Sequence, residues 1–180
     1  MPEAPLVNTG SGLVPAGDGW FVINARDARW LTWETRGSLC SFEGPEHSFS
    51  QLGVGLHVLE PGRPTGLYHA ESEQEAFLVL SGECRLVVEG AERILRQWDF
   101  FHSPPWTEHI FVGAGDGPCV LLLAGTRSRD MEVRYPVSEL AASYGASVEE
   151  ETTDPDVAYR PLALGRWSRA PMGDGLPWAG

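Results

Sequence analysis

The chain has 180 residues, 42% of them hydrophobic, which suits one domain with extensions whose core needs neither a disulfide nor a metal merely to fold. Acidic residues outnumber basic ones 25 to 13, for a formal charge of −12. That sign repels phosphate backbones and anionic bilayers, so nucleic acid and membrane are excluded as expected partners. Cys40, Cys84 and Cys119 are widely spaced, with no CxxC pair, and read as buried reduced thiols. The opening residues lack a basic n-region and an apolar h-region, and the longest apolar run, 120–124, is far too short for a bilayer, so a cytoplasmic protein is expected.

In chain order, residues 1–19 are rich in Gly and Pro and show no periodic pattern. Aromatic and β-branched residues predict strands at 20–23 and 30–34, with a turn-like 24–29 between them. Gly44-Pro45 breaks the chain. Leu52, Val54, Leu56 and Val58 then alternate with Gly53, Gly55, His57 and Leu59, the period of a strand. Further short strands are predicted at 76–80, 85–88, 92–95, 99–102, 109–112 and 118–124, each bounded by turn residues. Many short strands without intervening helices predict a barrel or sandwich. Beyond Thr126 the pattern changes: Ser138 is placed to cap a helix over 139–144 that Gly145 ends. Asp154-Pro155 starts another helical turn toward Tyr159. Residues 161–180 form a Pro/Gly-rich tail carrying Trp167 and Trp178. The chain divides into an extension with leading strands (1–49), a barrel (50–125) and a C-terminal segment of helical turns and tail (126–180).

Four residues carry the chemistry. His69, Glu71 and Glu75 offer imidazole and carboxylate donors within seven residues, and His109 adds an imidazole from a distant segment. Such N/O donors suit Zn, Mn, Fe(II) or Ni rather than a thiolate-loving metal. On a strand, Glu75 shares a face with Phe77 and Val79. A carboxylate directed with two core side chains needs a compensating charge or hydrogen bonds, and a metal supplies the charge. His57 and His102 rank second, with packing or hydrogen bonding as their expected role, and His47 reads as loop surface. Glu73 and Glu108 read as solvated, and Phe77, Phe101, Phe111, Trp98 and Trp106 as core or pocket wall.

These spacings resemble the cupin superfamily, whose two patterns run G-x5-H-x-H-x3,4-E-x6-G and G-x5-P-x-G-x2-H-x3-N. Here the first reads His69-x-Glu71-x3-Glu75-x6-Gly82, with Glu71 in place of the second histidine and Gly62 one residue early. The second keeps Pro104 and His109, while Trp98, Trp106 and Gly113 stand where the family usually has Gly, Gly and Asn. The resemblance covers roughly residues 50 to 125. It implies an all-β, cupin-type double-stranded β-helix (jelly-roll) barrel with short C-terminal helical segments. It also implies one divalent metal ion held by His69, Glu71, Glu75 and His109. Four such ligands around an octahedral ion leave two adjacent positions for a small-molecule ligand, which fits an oxygenase, isomerase or lyase acting on an oxygen-rich metabolite. A non-catalytic metal- or metabolite-binding module and a metal-free barrel are the alternatives. Single-domain cupins commonly dimerise. Together with the aromatic residues at 20–23, at 30–33 and at Trp167 and Trp178, this predicts a homodimer.

Overall fold

The computed structural model describes residues 1–178. Its strands are β1 (Leu6–Asn8), β2 (Leu13–Pro15), β3 (Trp30–Thr32), β4 (Ser38–Cys40), β5 (Leu52–Leu59), β6 (Ala70–Glu71), β7 (Glu75–Ser81), β8 (Glu83–Val88), β9 (Ala91–Arg96), β10 (Phe100–Ser103), β11 (His109–Ala114), β12 (Cys119–Thr126), β13 (Val133–Arg134) and, after two helices, β14 (Arg166–Ser168). The helices are α1 (Glu139–Ala142) and α2 (Pro155–Tyr159). Every paired strand is antiparallel with its neighbour, as expected for a chain of short hairpin-spaced strands.

Two main sheets face each other across the core. One has seven strands in the order β10-β7-β12-β5-β4-β3-β14, the other three in the order β11-β8-β9. The space between them is filled by Leu59, Phe77, Val79 and Leu121 from the larger sheet and by Leu86 and Phe111 from the smaller. The predicted jelly-roll is thus the observed fold. The alternation read in β5 resolves into two buried faces. His57 and Leu59 point inward, while Leu56 and Val58 point outward into a second cluster with Trp30, Cys40, Val120, Ala170 and Leu176. That outer face is covered by the terminal segments, and Trp178 packs on Trp30 with ring centroids 5.4 Å apart.

The extensions accordingly belong to the same framework: β3 and β4 precede residue 50, β14 follows residue 126, and all three extend the large sheet. Residues 20–23 do not form the expected strand. Trp20 makes a single bridge to Glu3, and Asn24 then closes a turn, accepting from the Arg26 N–H through its side chain (2.9 Å) and from the Asp27 N–H through its carbonyl (2.9 Å). The turn ends the run before a ladder can form, and Val22 lies 77% exposed. Conversely, the patternless N-terminus holds the β1–β2 hairpin, paired Leu6 to Pro15. Both helical starts are capped as read, with Ser138 accepting from the Ala141 N–H and Asp154 from the Asp156 N–H.

Two tryptophans occupy glycine-like backbone. Trp98 has φ 75° and Trp106 φ 66°, the left-handed region an L side chain enters at about 1–2 kcal/mol. Trp98 sits in the turn that joins β9 to β10, where the Asp99 N–H donates to the Arg96 carbonyl (2.9 Å), and it is 67% exposed. Its ring therefore contributes little to offset the strain. Trp98→Gly is expected to stabilise the protein by about 0.5 kcal/mol or more, because strain relief exceeds the ~0.5–1 kcal/mol entropic penalty of glycine. Urea unfolding of this variant beside Trp98→Ala checks it: equal stabilities would show that the left-handed backbone carries no strain.

Candidate metal centre

The site grows out of one backbone pairing. Residues 62–69 run antiparallel to β11: the Gly62 N–H donates to Gly113, Thr65 to Phe111, and His69 and His109 exchange hydrogen bonds at 3.2 and 2.9 Å. Directly opposed residues on an antiparallel pair present their side chains on the same face. The two imidazoles therefore lie side by side, ring centroids 5.1 Å apart. Glu75 arrives from the other sheet, at the start of β7, opposite Ser103 on β10 and Gly125 on β12. A Cβ at Gly125 would stand 3.5 Å from Glu75 Cγ, an ordinary contact, so it is the strand register rather than the glycine that positions the carboxylate.

One donor atom each from His69, Glu75 and His109 lies within 4.8 Å of the other two. His109 Nε2 is 3.4 Å from Glu75 Oε2, and His69 Nε2 is 3.6 Å from Glu71 Oε1. Glu71, expected in the ligand set, adjoins His69 but does not join the mutual group of three. Its strand β6 pairs with β13, and its carbonyl accepts from the Trp106 N–H, so the turn before His109 is tied to the Glu71 backbone.

Backbone carbonyls set the tautomers. Nδ1 of His69 lies 2.8 Å from the Leu67 carbonyl and Nδ1 of His109 lies 3.0 Å from that of Thr107. A carbonyl can only accept, so both Nδ1 atoms carry the proton, and in the neutral rings both Nε2 lone pairs are free. The donor set thereby fits a divalent cation: two imidazole lone pairs and a carboxylate, with the outward nitrogens anchored.

The electrostatics favour neutral groups deep in the site and charge at its edge. Burial, then the neighbouring His69, pushes the His109 imidazole down to about 4. Burial, then the Glu71 carboxylate, pushes the Glu75 carboxyl up to about 7. Their 3.4 Å contact is therefore not an ion pair; two acceptor atoms face each other and need a proton or cation between them. At the edge, burial opposes charge on both His69 and Glu71, but their mutual attraction prevails, raising His69 and lowering Glu71.

Beyond the three donors lies a cavity of about 300 Å³, lined by Phe77, Ile110, Phe111, Leu121 and Leu123, and by the polar residues Arg36, His57 and Tyr159. A second depression of about 260 Å³ shares Glu75 with it and runs past Glu71 to Met131 and Arg127. Of the second-rank histidines, His57 lines the cavity while His102 is exposed on β10. Arg36 and Tyr159 belong to neither motif: Arg36 lies in the turn between β3 and β4, and Tyr159 ends a helix remote from both motifs. The three cysteines are free, buried and outside the cavity lining.

Residues 55–125 match the family model of the cupin domain, so this stretch of the chain is a cupin domain. No curated protein matches the chain. Among solved structures it is similar to an assigned sugar phosphate isomerase from Acidithiobacillus ferrooxidans, at 28% identity and TM-score 0.49, over 54% of this chain and 63% of that one. The chain thus spans less than two thirds of that protein's length. It is also similar to a cupin-superfamily sugar phosphate isomerase from Silicibacter pomeroyi (25% identity, TM-score 0.49, 81% and 78% covered). The polyketide cyclase RemF from Streptomyces resistomycificus (15% identity, TM-score 0.52, 61% and 80% covered) shares the fold. No described helix is long and apolar enough to cross a membrane.

His57 gives the cavity a measurable pH signature. It is buried, its Nδ1 has no hydrogen-bond partner, and burial holds it down at about 4 against an ordinary 6.5. The unfolded chain therefore takes up the proton first as pH falls. The stability is fully present above about pH 6.5 and is lost progressively toward pH 4, on the order of 3 kcal/mol for a shift of this size. Urea unfolding of chelator-treated protein at pH 7 and pH 4.5 should show a larger loss for the wild type than for His57→Leu. Equal losses would mean that His57 is protonated in the folded state.

Proposed function

We propose that the protein is a metal-dependent enzyme whose barrel holds one divalent cation on His69, Glu75 and His109 and takes a small metabolite into the adjoining cavity. The observation that carries this reading is the convergence of the three donor atoms, with both histidine Nδ1 atoms already committed to backbone carbonyls. A pair of histidines placed for packing needs no such matched orientation, and a buried carboxyl facing an imidazole lone pair is unfavourable unless a cation or proton intervenes.

When bound, the ion would act as a Lewis acid toward an oxygen atom of the substrate. The chain's own residues do the rest. Leu67 and Thr107 hold the imidazoles in one tautomer, as outer partners of metal-bound histidines do. Glu71, ionised and 3.6 Å from His69 Nε2, is placed to accept a proton at the edge of the site. Phe77, Phe111, Leu121 and Leu123 exclude water from the inner wall. An isomerase, lyase or oxygenase acting on an oxygen-bearing small molecule fits these parts. Because one fold hosts many reactions, the choice rests on turnover rather than on likeness.

Elemental analysis of protein purified without chelators is expected to show close to one divalent ion per chain. His109→Ala should weaken metal affinity by more than about 100-fold, beyond the 10–100-fold typical of losing an outer partner. Glu71→Ala should weaken it less than His109→Ala does. Full metal content in the His109 variant would sink the assignment. Metal without turnover or oxygen uptake across a metabolite panel would leave a binding role in place of an enzyme.

The expected homodimer belongs to the same reading. Trp30 and Trp178 pack against each other within the chain, so they are unavailable to a partner. Edge strands β10 and β14 leave Phe100 63% and Trp167 53% exposed. These aromatic edges are the surfaces a second copy would cover. Light scattering at micromolar concentration should give twice the chain mass; a monomer mass would refute it.

A further inference from the structure

The cavity contains a charge that the metal donors do not explain. Arg36, in the turn between β3 and β4, is 93% buried, its exposure being 7%. Its guanidinium donates to the Gly66 carbonyl, yet its Nε–H has no acceptor and no carboxylate lies within 4 Å among the described residues. Arginine stays charged in proteins, so burial without a counter-charge is expensive. Two further groups at this end are under-used. His57 Nδ1 is buried without a partner. Tyr159 Oη accepts the Leu67 N–H at 3.2 Å, which leaves its own O–H free to donate. Arg36, His57 and Tyr159 line one cavity together with His69, Glu75 and His109.

The connection to the donor cluster is covalent. Arg36 is held by the carbonyl of Gly66, and His69 by that of the next residue, Leu67. One short backbone segment thus fixes a guanidinium and a candidate metal-binding imidazole against the same space. Glu75, the acidic residue in the cavity lining, contacts His109, and Glu71 contacts His69, so both carboxylates are engaged with the imidazoles rather than with Arg36.

We infer that Arg36 is the anchor for the carboxylate of a small organic acid whose apolar body lies along Phe77, Phe111 and Leu121. A planar carboxylate matches the guanidinium fork and neutralises one buried charge with one charge. Tyr159 adds an O–H donor beside it. At the Arg36 end a phosphate is disfavoured, because Arg36 is the single arginine or lysine in the cavity lining and a dianion there would keep one charge unpaired beside apolar side chains. This inference rests on the reading of the cavity as a ligand site, but it uses no bond to the metal.

Benzoate, uncharged benzamide and inorganic phosphate are the probes, titrated into wild-type and Arg36→Gln protein by calorimetry and by intrinsic tryptophan fluorescence, to which Trp33 in the cavity lining contributes. Metal content is measured in every sample, and each titration is repeated after chelation. Benzoate should bind the wild type roughly 10- to 100-fold more tightly than benzamide, the range expected for a charge-assisted pair. Arg36→Gln keeps an N–H donor for Gly66 and should lose that preference while retaining its metal. The inference is overturned by equal affinity of the wild type for benzoate and benzamide, by no saturable benzoate binding, or by an unchanged preference in Arg36→Gln. Phosphate binding that excludes benzoate would overturn the ligand class. If Arg36→Gln does not fold, the benzoate–benzamide comparison on the wild type decides alone. A benzoate preference in protein that takes up no metal would uphold the anchor and reject the metal reading.

Discussion

The His69–His109 backbone bridge is the contact on which the rest of the site depends. It closes a run of hydrogen bonds that begins at Gly62–Gly113 and fastens residues 62–69 along β11. Because opposed residues share a face, the bridge also sets the two imidazoles beside each other. The same segment supplies the Leu67 carbonyl that orients His69, the Gly66 carbonyl that holds Arg36, and the Leu67 N–H that holds Tyr159. A slip of one residue in this register would turn His69 to the opposite face and scatter all three arrangements.

Glu75 comes from elsewhere, and the sandwich explains how it arrives. The large sheet is buried on both sides, so its inner face can carry His57, Glu75 and two glycines without forfeiting its core. Leu56, Val58 and Val120 pack on the outer side under Trp30 and Leu176, while Val79 and Leu121 fill the inner side toward Leu86 and Phe111. Terminal segments that look like appendages thereby support the central strands. Gly53 and Gly55 share the parity of His57 and allow close approach, since a Cβ would stand 2.8 Å from Arg127 Nε at the first and 2.7 Å from the Cys40 carbonyl oxygen at the second.

Within the cavity the charges are arranged by environment. His57 and His109 are kept neutral by burial, and Glu75 is held near the midpoint of its titration at neutral pH. His69 and Glu71, nearer the edge, favour opposite charges. Arg36 remains cationic with a single carbonyl partner. A divalent ion on the His69–Glu75–His109 group would outweigh the Glu75 and Glu71 carboxylates once Arg36 is counted, leaving the cavity with a net positive charge that an anion complements.

The sequence by itself determined the strand series from Leu52 to Thr126, because alternation and turn residues are local signals with a period of two. It also determined both helix starts, through Ser138 and Asp154, and it named His69, Glu75 and His109 from motif spacing. Even the two departures at Trp98 and Trp106 were legible as positions, and their left-handed backbone is what glycine ordinarily provides there. Tertiary structure alone decided the rest. The run at 20–23 had strand composition but found only the single Trp20–Glu3 bridge, since β-propensity reports fit to a neighbouring surface that only folding supplies. Glu71 had ligand spacing, yet its reach depends on how β6 pairs with β13. Arg36 and Tyr159 lie far apart in sequence, in a turn and at a helix end, where nothing periodic marks burial. They become cavity groups because long-range packing brings both to the Gly66–Leu67 segment. Periodicity records what a residue does relative to its own strand; what it faces across the barrel is set by pairings between residues that no local pattern connects.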